Sequence, residues 1–272
     1  MTLFQSIILG IVQGASEFLP ISSSGHLVLT PLLFGWEIPP QEAFIFDVLV
    51  QVATLAAVII YFWQDLISIL RSFLLGIKTR QPFKEQQSLM GWLLVLATIP
   101  AGVLAVLFKD TFEKAFSDPK SAAIFLLCTS VFLVVGELFG NRSRDLKSTS
   151  WLDAIIIGIF QVFALFPGVS RSGSTISGGL IRGFNRESAA RFSFLMAVPV
   201  MSAAGLLALF DLFQSPDLLS SLPIYFAGFL TAAIVGYLAI RWFISYLSKQ
   251  SLYLFAAYCA IVGSVFLVFL IP

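Results

Sequence analysis

Residues 13–26 read QGASEFLPISSSGH, and this stretch decides how the N-terminal part of the chain meets a membrane. It interrupts an apolar run over 3–35 with Pro20, three consecutive serines, Glu17 and the only histidine of the chain, His26. Each apolar arm beside the break is about 10–16 residues long, shorter than the roughly 20 residues of a membrane-spanning helix. The pattern therefore predicts a re-entrant helical hairpin over 3–35, whose two arms return to the same side of the bilayer.

The composition of the whole chain indicates a membrane protein. Of 272 residues, 58% are hydrophobic and 11% are charged, and the mean hydropathy is +0.94. Soluble domains carry about 25% charged residues. The net charge of +1 gives no general affinity for polyanions, so we expect no nucleic-acid partner. We predict an all-α polytopic protein that forms a single membrane domain over 1–272.

Six uninterrupted apolar runs are long enough to cross the bilayer. They cover 44–63, 89–108, 122–140, 189–210, 224–247 and 252–271. A second broken stretch over 151–181 contains Pro167-Gly168 and Arg171-Ser172-Gly173. We interpret it as a second re-entrant hairpin, which gives six full transmembrane helices plus two re-entrant helical hairpins.

The charged residues give this topology a direction. Twelve basic residues fall on one side: Arg71, Lys78, Arg80, Lys84, Arg142, Arg144, Lys147, Arg182, Arg186, Arg191, Arg241 and Lys249. Three fall on the other side, among seven acids: Lys109, Lys114 and Lys120, with Glu37, Glu42, Asp110, Glu113, Asp118, Asp211 and Asp217. Because basic residues concentrate in cytoplasmic loops, the first side is predicted to be cytoplasmic. Counting either broken stretch as a full span would destroy this asymmetry, so the charges favour the hairpins.

A gap-free shift of 148 positions reveals an internal repeat. LGIVQ at 9–13 aligns with IGIFQ at 157–161, and SSSG at 22–25 aligns with SRSG at 170–173. We predict a first repeat over 1–148 and a second over 149–272, each with one hairpin and three spans. An odd number of crossings inverts the second repeat, and transporters with inverted-topology repeats place a site near the midplane where broken helices meet.

The two hairpin tips carry complementary chemistry. Arg171 is the basic residue predicted to lie deep in the membrane, and Glu17 and His26 lie in the other tip. A broken helix leaves backbone N–H groups that attract anions, and the small residues at 22–25 and 170–173 let a phosphate approach them. An arginine adds a planar fork suited to phosphate. Together the tips predict a phosphate cradle.

Metal binding and acid–base chemistry are predicted beside the cradle. Gln13 and Glu17 are four residues apart and share one helix face. Two oxygen ligands on one face suit Mg²⁺ or Ca²⁺, which bind few carboxylates together with phosphate oxygens. His26 is a candidate general base, general acid or nucleophile toward phosphorus. A metal, an arginine, hydroxyls and an imidazole around one phosphate together predict phosphoryl hydrolysis. Two simpler interpretations stay open: Arg171 only neutralises Glu17, and His26 is only a packed, hydrogen-bonded side chain.

At these residues the sequence resembles the undecaprenyl-pyrophosphate phosphatase family, also called bacitracin-resistance proteins. The first family motif is Glu or Gln, three residues, Glu, and then L-P-x-S-S-(S/T)-G-H, and it is matched by Gln13, Glu17 and 19–26. The second, P-G-x-S-R-S-G-x-T, is matched by 167–175. The resemblance covers nearly the whole chain. Gln13 departs from the Glu of many members, which removes one negative ligand and is expected to weaken or shift the metal preference.

The resemblance implies a multi-pass enzyme of the bacterial plasma (inner) membrane with a site open to the extracytoplasmic face. Such an enzyme hydrolyses the C55 lipid pyrophosphate to the monophosphate and phosphate, which recycles the carrier for cell-wall synthesis. It confers bacitracin resistance, because that antibiotic sequesters the pyrophosphate. The implied cofactor is a divalent cation, Mg²⁺ or Ca²⁺. The implied partners are the polyprenyl pyrophosphate substrate and membrane lipids, and a homodimer is one assembly that the sequence leaves open.

The resemblance also implies roles for single residues. The implied catalytic residues are Glu17, His26, Ser23 and Arg171, with Gln13 and Glu17 as metal ligands. Whether Ser23, His26 or water is the nucleophile stays open. The implied substrate-binding residues are Ser22, Ser24, Gly25, Ser170, Ser172, Gly173, Thr175 and Gln51, and Asp47 is expected to line the site with Gln51.

A transporter or lipid flippase is the rival hypothesis. Inverted repeats with broken helices are equally typical of that class. Phosphate release by detergent-solubilised protein separates the two, because a transporter releases none.

Overall fold

The computed structural model describes residues 1–108, 111–112, 115, 118–212 and 218–270. Within these residues the regular secondary structure is helical, with eleven α-helices and one 3-10 turn, Leu146–Ser148. The α-helices are α1 (Leu3–Phe18), α2 (Ser23–Phe34), α3 (Pro40–Tyr61), α4 (Trp63–Lys78), α5 (Gln86–Leu107), α6 (Pro119–Phe139), α7 (Trp151–Phe163), α8 (Arg171–Ile181), α9 (Arg186–Leu212), α10 (Leu218–Leu247) and α11 (Tyr253–Leu270). The all-α prediction is confirmed for this part of the chain.

Both predicted breaks fall between helices. Pro20 lies in the connection from α1 to α2, where the lack of an N–H and the fixed φ of proline cost no helical hydrogen bond. Pro167 and Gly168 lie between α7 and α8, and Gly168 adopts φ +93°, a conformation that favours glycine. The four arms contain 16, 12, 13 and 11 residues. Each arm is therefore shorter than the ~30 Å hydrocarbon core.

The two broken segments are capped alike at matching positions. α1 and α7 begin with capping boxes, formed by Thr2 with Gln5 and by Ser150 with Asp153. The second arms, α2 and α8, each follow a serine N-cap whose hydroxyl accepts the amide of a glycine three residues on. These caps recur at the 148-residue spacing that aligns the two halves of the sequence.

Among the residues that the structure describes, four helices are long and apolar enough to cross a membrane. They are Pro40–Tyr61, Gln86–Leu107, Pro119–Phe139 and, within α10, Leu222–Leu247. They correspond to four of the six predicted spans, which confirms a polytopic membrane protein. The predicted spans 189–210 and 252–271 correspond to α9 and α11, and their membrane crossing stays a prediction.

The helix α4 was not anticipated, because the sequence pattern over 64–88 indicates a charged connection. Here α4 packs against α5 and buries Ile69 and Gly76. Its charged residues, Asp65, Arg71 and Lys78, interrupt an otherwise apolar pattern. Such an amphipathic helix is typical of a membrane surface, so a search for uninterrupted apolar runs passes over it.

Glycines allow the first arm of each hairpin to pack closely on a long helix. A Cβ atom on Gly10 would lie 2.6 Å from the carbonyl oxygen of Gly228, so α1 lies directly against α10. A Cβ atom on Gly158 would lie 2.5 Å from the carbonyl oxygen of Ala97, so α7 lies directly against α5. Small residues at such crossings let membrane helices approach closely. The packing holds both hairpins inside the helical assembly.

Arginines of the predicted cytoplasmic side neutralise two buried acids. Arg144 and Arg182 bind Asp153 at 2.6 and 2.7 Å, and Arg186 binds Glu137 at 2.7 Å. The hydrogen bond to Asp153 raises the pKa of Arg144, which lies in a loop. Some charges assigned to the opposite side lie outside the described residues or side chains: Lys109, Asp110, Glu113, Lys114, Asp211 and Asp217. The arginines that predict the cytoplasmic side therefore also hold the start of α7 next to the end of α8.

Candidate active site

The two hairpin tips meet at an ion pair. Glu17 lies in the last turn of α1, and Arg171 is the first residue of α8. Arg171 Nη2 lies 2.6 Å from Glu17 Oε1, and the two side chains are only 14% and 11% exposed. Because little water competes for either group, the two charges interact more strongly than a surface pair does. The structure brings together the two charges that the sequence places in different tips.

The second carboxylate oxygen of Glu17 faces its own hairpin. Ser23, the first residue of α2, donates its hydroxyl to Glu17 Oε2 at 2.6 Å. The side-chain amide of Gln13, one turn earlier on α1, donates to the same oxygen at 3.1 Å. A hydroxyl in direct contact with a carboxylate has a proton acceptor at hand, which is the geometry of an activated nucleophile.

Gln13 is a fully buried side chain with an unpaired oxygen. Its Oε1 atom has no hydrogen-bond partner among the described residues, while Nε2 lies 3.5 Å from the hydroxyl of Thr54 on α3. An unpaired buried oxygen beside the Glu17 carboxylate fits a hard divalent cation. In the described part of the chain, no three His, Cys, Asp or Glu side chains converge on one point. A cation here would therefore complete its shell with phosphate oxygens and water, as Mg²⁺ commonly does.

His26 lies in the first turn of α2, and both of its ring nitrogens are engaged. The Nδ1–H group donates to the carbonyl oxygen of Ser22 at 2.7 Å. In the neutral ring this leaves Nε2 as an acceptor, and Nε2 lies 2.7 Å from the hydroxyl of Tyr258 on α11. The two rings are stacked with their centroids 5.6 Å apart. The contacts fix the tautomer of His26 and hold its basic nitrogen beside a half-exposed tyrosine.

Reciprocal contacts join the two tips. The Gly168 amide lies 3.5 Å from the hydroxyl of Ser24, and the Ser172 hydroxyl donates to the carbonyl oxygen of Leu19 at 3.2 Å. A Cβ atom on Gly25 would lie 3.1 Å from the Cα atom of Gly168. Three predicted substrate-binding residues, Ser24, Gly25 and Ser172, therefore form the contact between the tips in this structure.

Two other predicted phosphate-binding serines cap their own helices. The Ser22 hydroxyl accepts the Gly25 amide at 3.2 Å, and the Ser170 hydroxyl accepts the Gly173 amide at 3.0 Å. These are the amides that the sequence pattern offers to phosphate. Phosphate binding by them requires the serine hydroxyls to turn away, because each amide has one hydrogen to donate.

Residues distant in sequence support the second tip, and the sequence pattern did not single them out. The Ser193 hydroxyl on α9 lies 2.7 Å from that of Thr175, and the Ser193 carbonyl oxygen lies 3.4 Å from Arg171 Nη1. The Thr129 hydroxyl on α6 accepts the amide of Ser170 at 2.9 Å. A single hydroxyl within an apolar helix is their only signal, and it is shared by many residues that merely bond to their own helix.

Gln51 and Asp47 both lie on α3. The Gln51 side chain is exposed, and the backbone carbonyl oxygen of Gln51 accepts the hydroxyl of Thr54 at 2.9 Å. Asp47 is half-buried one turn earlier. Thr54 also approaches Gln13, which links α3 to the site. A substrate contact of Gln51 stays a prediction.

Comparison with known proteins identifies relatives over nearly the full chain. A family model described as bacitracin resistance protein BacA matches residues 6–265. A protein of Moorella thermoacetica named undecaprenyl-diphosphatase is 43% identical over 258 residues, which cover 95% of this chain and 94% of the relative. Proteins with the same name from Methanosphaera stadtmanae and Chlorobium phaeobacteroides are 40% and 42% identical over 272 and 275 residues, with 97% of this chain covered in each case and 96% and 95% of the relatives. These matches include both hairpin tips.

Proposed function

The chain belongs to the family of bacitracin resistance protein BacA, and we propose that it hydrolyses undecaprenyl diphosphate to undecaprenyl phosphate and inorganic phosphate. The relatives named undecaprenyl-diphosphatase match it over nearly their whole length. The reaction returns the lipid carrier to cell-wall synthesis. It also removes the diphosphate that bacitracin sequesters, which accounts for the resistance in the family name.

The contact of Arg171 with Glu17 and of Glu17 with Ser23 carries this proposal. The three residues place a phosphate-binding guanidinium, a carboxylate and a hydroxyl within one chain of contacts at 2.6 Å each. Charge neutralisation and in-line positioning dominate phosphoryl transfer, and these groups supply both. Apolar helix surfaces around them suit a substrate whose polyprenyl tail stays in the bilayer.

For the chemical step we assign Ser23 as the nucleophile and Glu17 as the proton carrier. Ser23 Oγ bonds to the terminal phosphorus, the bond from phosphorus to the bridging oxygen breaks, and the serine proton passes through Glu17 to that oxygen. Undecaprenyl phosphate leaves. Water then attacks the phosphoserine, its proton returns to Ser23 through Glu17, and phosphate leaves. Arg171 stabilises the charge on the phosphoryl oxygens in both steps.

His26 is the second candidate nucleophile, because its tautomer leaves a lone pair on Nε2, which becomes free for attack when the Tyr258 hydroxyl turns away. Attack by Nε2 would produce a phosphohistidine instead of a phosphoserine. Acid quenching during turnover of a substrate with a labelled terminal phosphate separates the two, because a phosphoserine survives acid and a phosphohistidine does not. If no labelled phosphate stays on the protein after quenching, the result favours His26 or direct attack by water over Ser23.

A divalent cation fits this site, and Gln13 and Glu17 are its proposed ligands. When bound, Mg²⁺ or Ca²⁺ would neutralise negative charge on the diphosphate. The unpaired Gln13 Oε1 supports this assignment. The neutral amide keeps the site less negative than a pair of carboxylates would.

We also propose that the two halves form an inverted repeat with two re-entrant hairpins. The caps at 148-residue spacing and the reciprocal contacts between the tips support it. Together with the excess of arginines and lysines on one side, this topology favours the inner membrane with a site open to the extracytoplasmic face. Assembly as a homodimer stays a prediction.

Phosphate release in detergent tests the proposed activity. Purified protein in micelles, without a membrane gradient, is mixed with a polyprenyl diphosphate and a divalent cation, and inorganic phosphate is measured. Steady release that stops in the Glu17→Gln variant is expected. A wild-type protein that releases no phosphate but moves labelled lipid between leaflets of proteoliposomes would favour the flippase hypothesis.

A further inference from the structure

The helix α4 borders an apolar groove that plays no part in the proposed reaction. The groove has a volume of about 370 Å³ and lies between α3, α4, α5 and α9. Its lining is apolar and includes Trp63, Leu66, Leu70, Val95, Val198 and Pro199. Trp63 and Leu70 are more than half exposed, so the groove opens at the surface of the helical assembly.

A polar strip runs along α4 beside this groove. Gln64, Ser68, Arg71 and Ser72 form the strip, and Trp63 borders both the strip and the groove. The strip residues recur at helical spacing, so one guanidinium and two hydroxyls point along one side of α4. A phosphate is the natural ligand for this combination of donors.

The charge around the strip is positive. The one acid of α4, Asp65, is held by Arg191 of α9 at 2.9 Å, so its charge is already compensated. Ser72 also borders a neighbouring polar cavity, whose lining contains one lysine, Lys84, and one glutamate, Glu85. Arg71 itself is exposed on the side that the sequence predicts to be cytoplasmic. The exposed guanidinium of Arg71 can therefore bind an anionic group.

We propose that α4 holds an anionic membrane phospholipid, with its phosphate on Arg71, Ser68 and Ser72 and one acyl chain in the apolar groove. An apolar groove continuous with a basic, hydroxyl-bearing strip matches the two halves of such a lipid. Anionic lipids gather at basic residues near the membrane surface, and an amphipathic helix places its charged and apolar faces at that depth. The site is separate from the Glu17–Arg171 pair and does not rest on the proposed reaction.

Quenching of Trp63 fluorescence tests the site in full-length protein. The protein is reconstituted in phosphatidylcholine vesicles with a small fraction of phosphatidylglycerol that carries brominated acyl chains. Brominated phosphatidylcholine at the same fraction gives the level of non-specific contact. The Trp63→Phe variant subtracts the signal of the other tryptophans. We expect brominated phosphatidylglycerol to quench Trp63 more strongly than brominated phosphatidylcholine does.

Two charge variants make the result specific. Arg71→Gln is expected to lower the preference for phosphatidylglycerol about tenfold, because it removes the direct charge-assisted contact between the guanidinium and the lipid phosphate. Lys78→Gln removes the same charge from the same helix outside the strip and is expected to keep the preference. Thermal unfolding of Arg71→Gln and Lys78→Gln in detergent, compared with the wild type, reports that both variants are folded.

Three outcomes would overturn the proposal. They are equal quenching by the two brominated lipids, an Arg71→Gln variant that keeps the preference, and a Lys78→Gln variant that loses it as fully as Arg71→Gln. A competition experiment identifies the lipid. If undecaprenyl phosphate displaces the brominated lipid and unlabelled phosphatidylglycerol does not, the groove binds the reaction product instead of a phospholipid.

Discussion

Arg171 and Glu17 face each other across two chain breaks, with Nη2 and Oε1 2.6 Å apart. The guanidinium is also held from α9, where Arg171 Nη1 lies 3.4 Å from the carbonyl oxygen of Ser193 and Nη2 lies 3.4 Å from Met201 Sδ. A guanidinium that contacts three partners keeps its orientation when one of them is exchanged. We infer that a diphosphate replaces the carboxylate at Arg171, while Glu17 keeps its contact with Ser23.

Arg171→Lys is expected to lower the rate of phosphate release about 100-fold or more. A lysine keeps the charge but loses the planar pair of N–H donors that a phosphoryl group needs. The measurement is steady-state phosphate release from a polyprenyl diphosphate in detergent. Arg241→Lys, the same substitution at an exposed position of α10, is the control and should leave the rate near that of the wild type. Equal rates for the two variants would contradict the role of Arg171.

Gln13→Glu is expected to lower the concentration of Mg²⁺ or Ca²⁺ needed for half-maximal activity about tenfold. The new carboxylate would lie next to Glu17, whose Oε2 atom is 3.1 Å from the Gln13 amide. Two buried carboxylates repel each other unless a cation lies between them, so the variant should also be less stable without metal. Titration of phosphate release with each cation gives the comparison.

Gln5→Glu is the matched control for this prediction. It adds the same charge to the same helix at the capping box, where a glutamate keeps the hydrogen bond to the N-cap. The cation dependence of Gln5→Glu should equal that of the wild type. An unchanged dependence in Gln13→Glu would argue against Gln13 as a metal ligand.

The meeting of the two tips could be predicted from sequence because the cost of isolated charges in a membrane is large. The pattern predicts that Arg171 lies inside the bilayer, where it needs a partner, and that Glu17 and His26 are the clearest partners in the other tip. The two chain breaks could also be predicted from the sequence. Pro20 has no N–H group to donate within a helix, and Gly168 has a positive φ that a helix interior does not allow.

The other contacts of the site could not be predicted, because they are tertiary contacts that leave no local pattern in the sequence. Tyr258 lies 232 positions from His26, and only packing of α11 beside α2 brings its hydroxyl to the imidazole. The role of two serines as helix N-caps could not be predicted for a different reason. Ser22 and Ser170 suit a phosphate and a helix N-terminus equally well, and the sequence does not state which acceptor the glycine amides use.

Tyr258→Phe is expected to lower the rate of phosphate release about tenfold if the hydroxyl orients His26 for the reaction. The substitution keeps the stacked ring and removes the hydrogen bond to Nε2, a contact of about 1–1.5 kcal/mol. Tyr253→Phe, an exposed position one and a half turns earlier on α11, is the control. The ratio of the two rates is the measurement, and a ratio near one would contradict a role for the contact between His26 and Tyr258 in the reaction.

Gly168→Ala is expected to cost more than about 3 kcal/mol of stability. Two separate effects add at this position. Its φ of +93° is unfavourable for any residue with a Cβ, and that Cβ would lie 2.1 Å from the carbonyl oxygen of Ala122, a backbone atom that cannot turn away. The carbonyl oxygen of Gly168 also accepts the hydroxyl of Thr129 at 2.9 Å, so displacement of the tip loses that contact as well.

Two other glycines separate the effects of strain and clash. Gly35 has φ +62°, and a Cβ atom there would have nothing within 4 Å, so Gly35→Ala measures the backbone cost alone, about 1 kcal/mol. Gly102 lies in α5 with open space and an ordinary helical backbone, so Gly102→Ala should be neutral or slightly stabilising. Thermal unfolding of the three variants in one detergent gives the order Gly102→Ala, Gly35→Ala, Gly168→Ala from most to least stable. If Gly168→Ala unfolds together with Gly35→Ala, the tip tolerates a side chain, and the close contact between α6 and the second hairpin is not needed to hold Arg171 against Glu17.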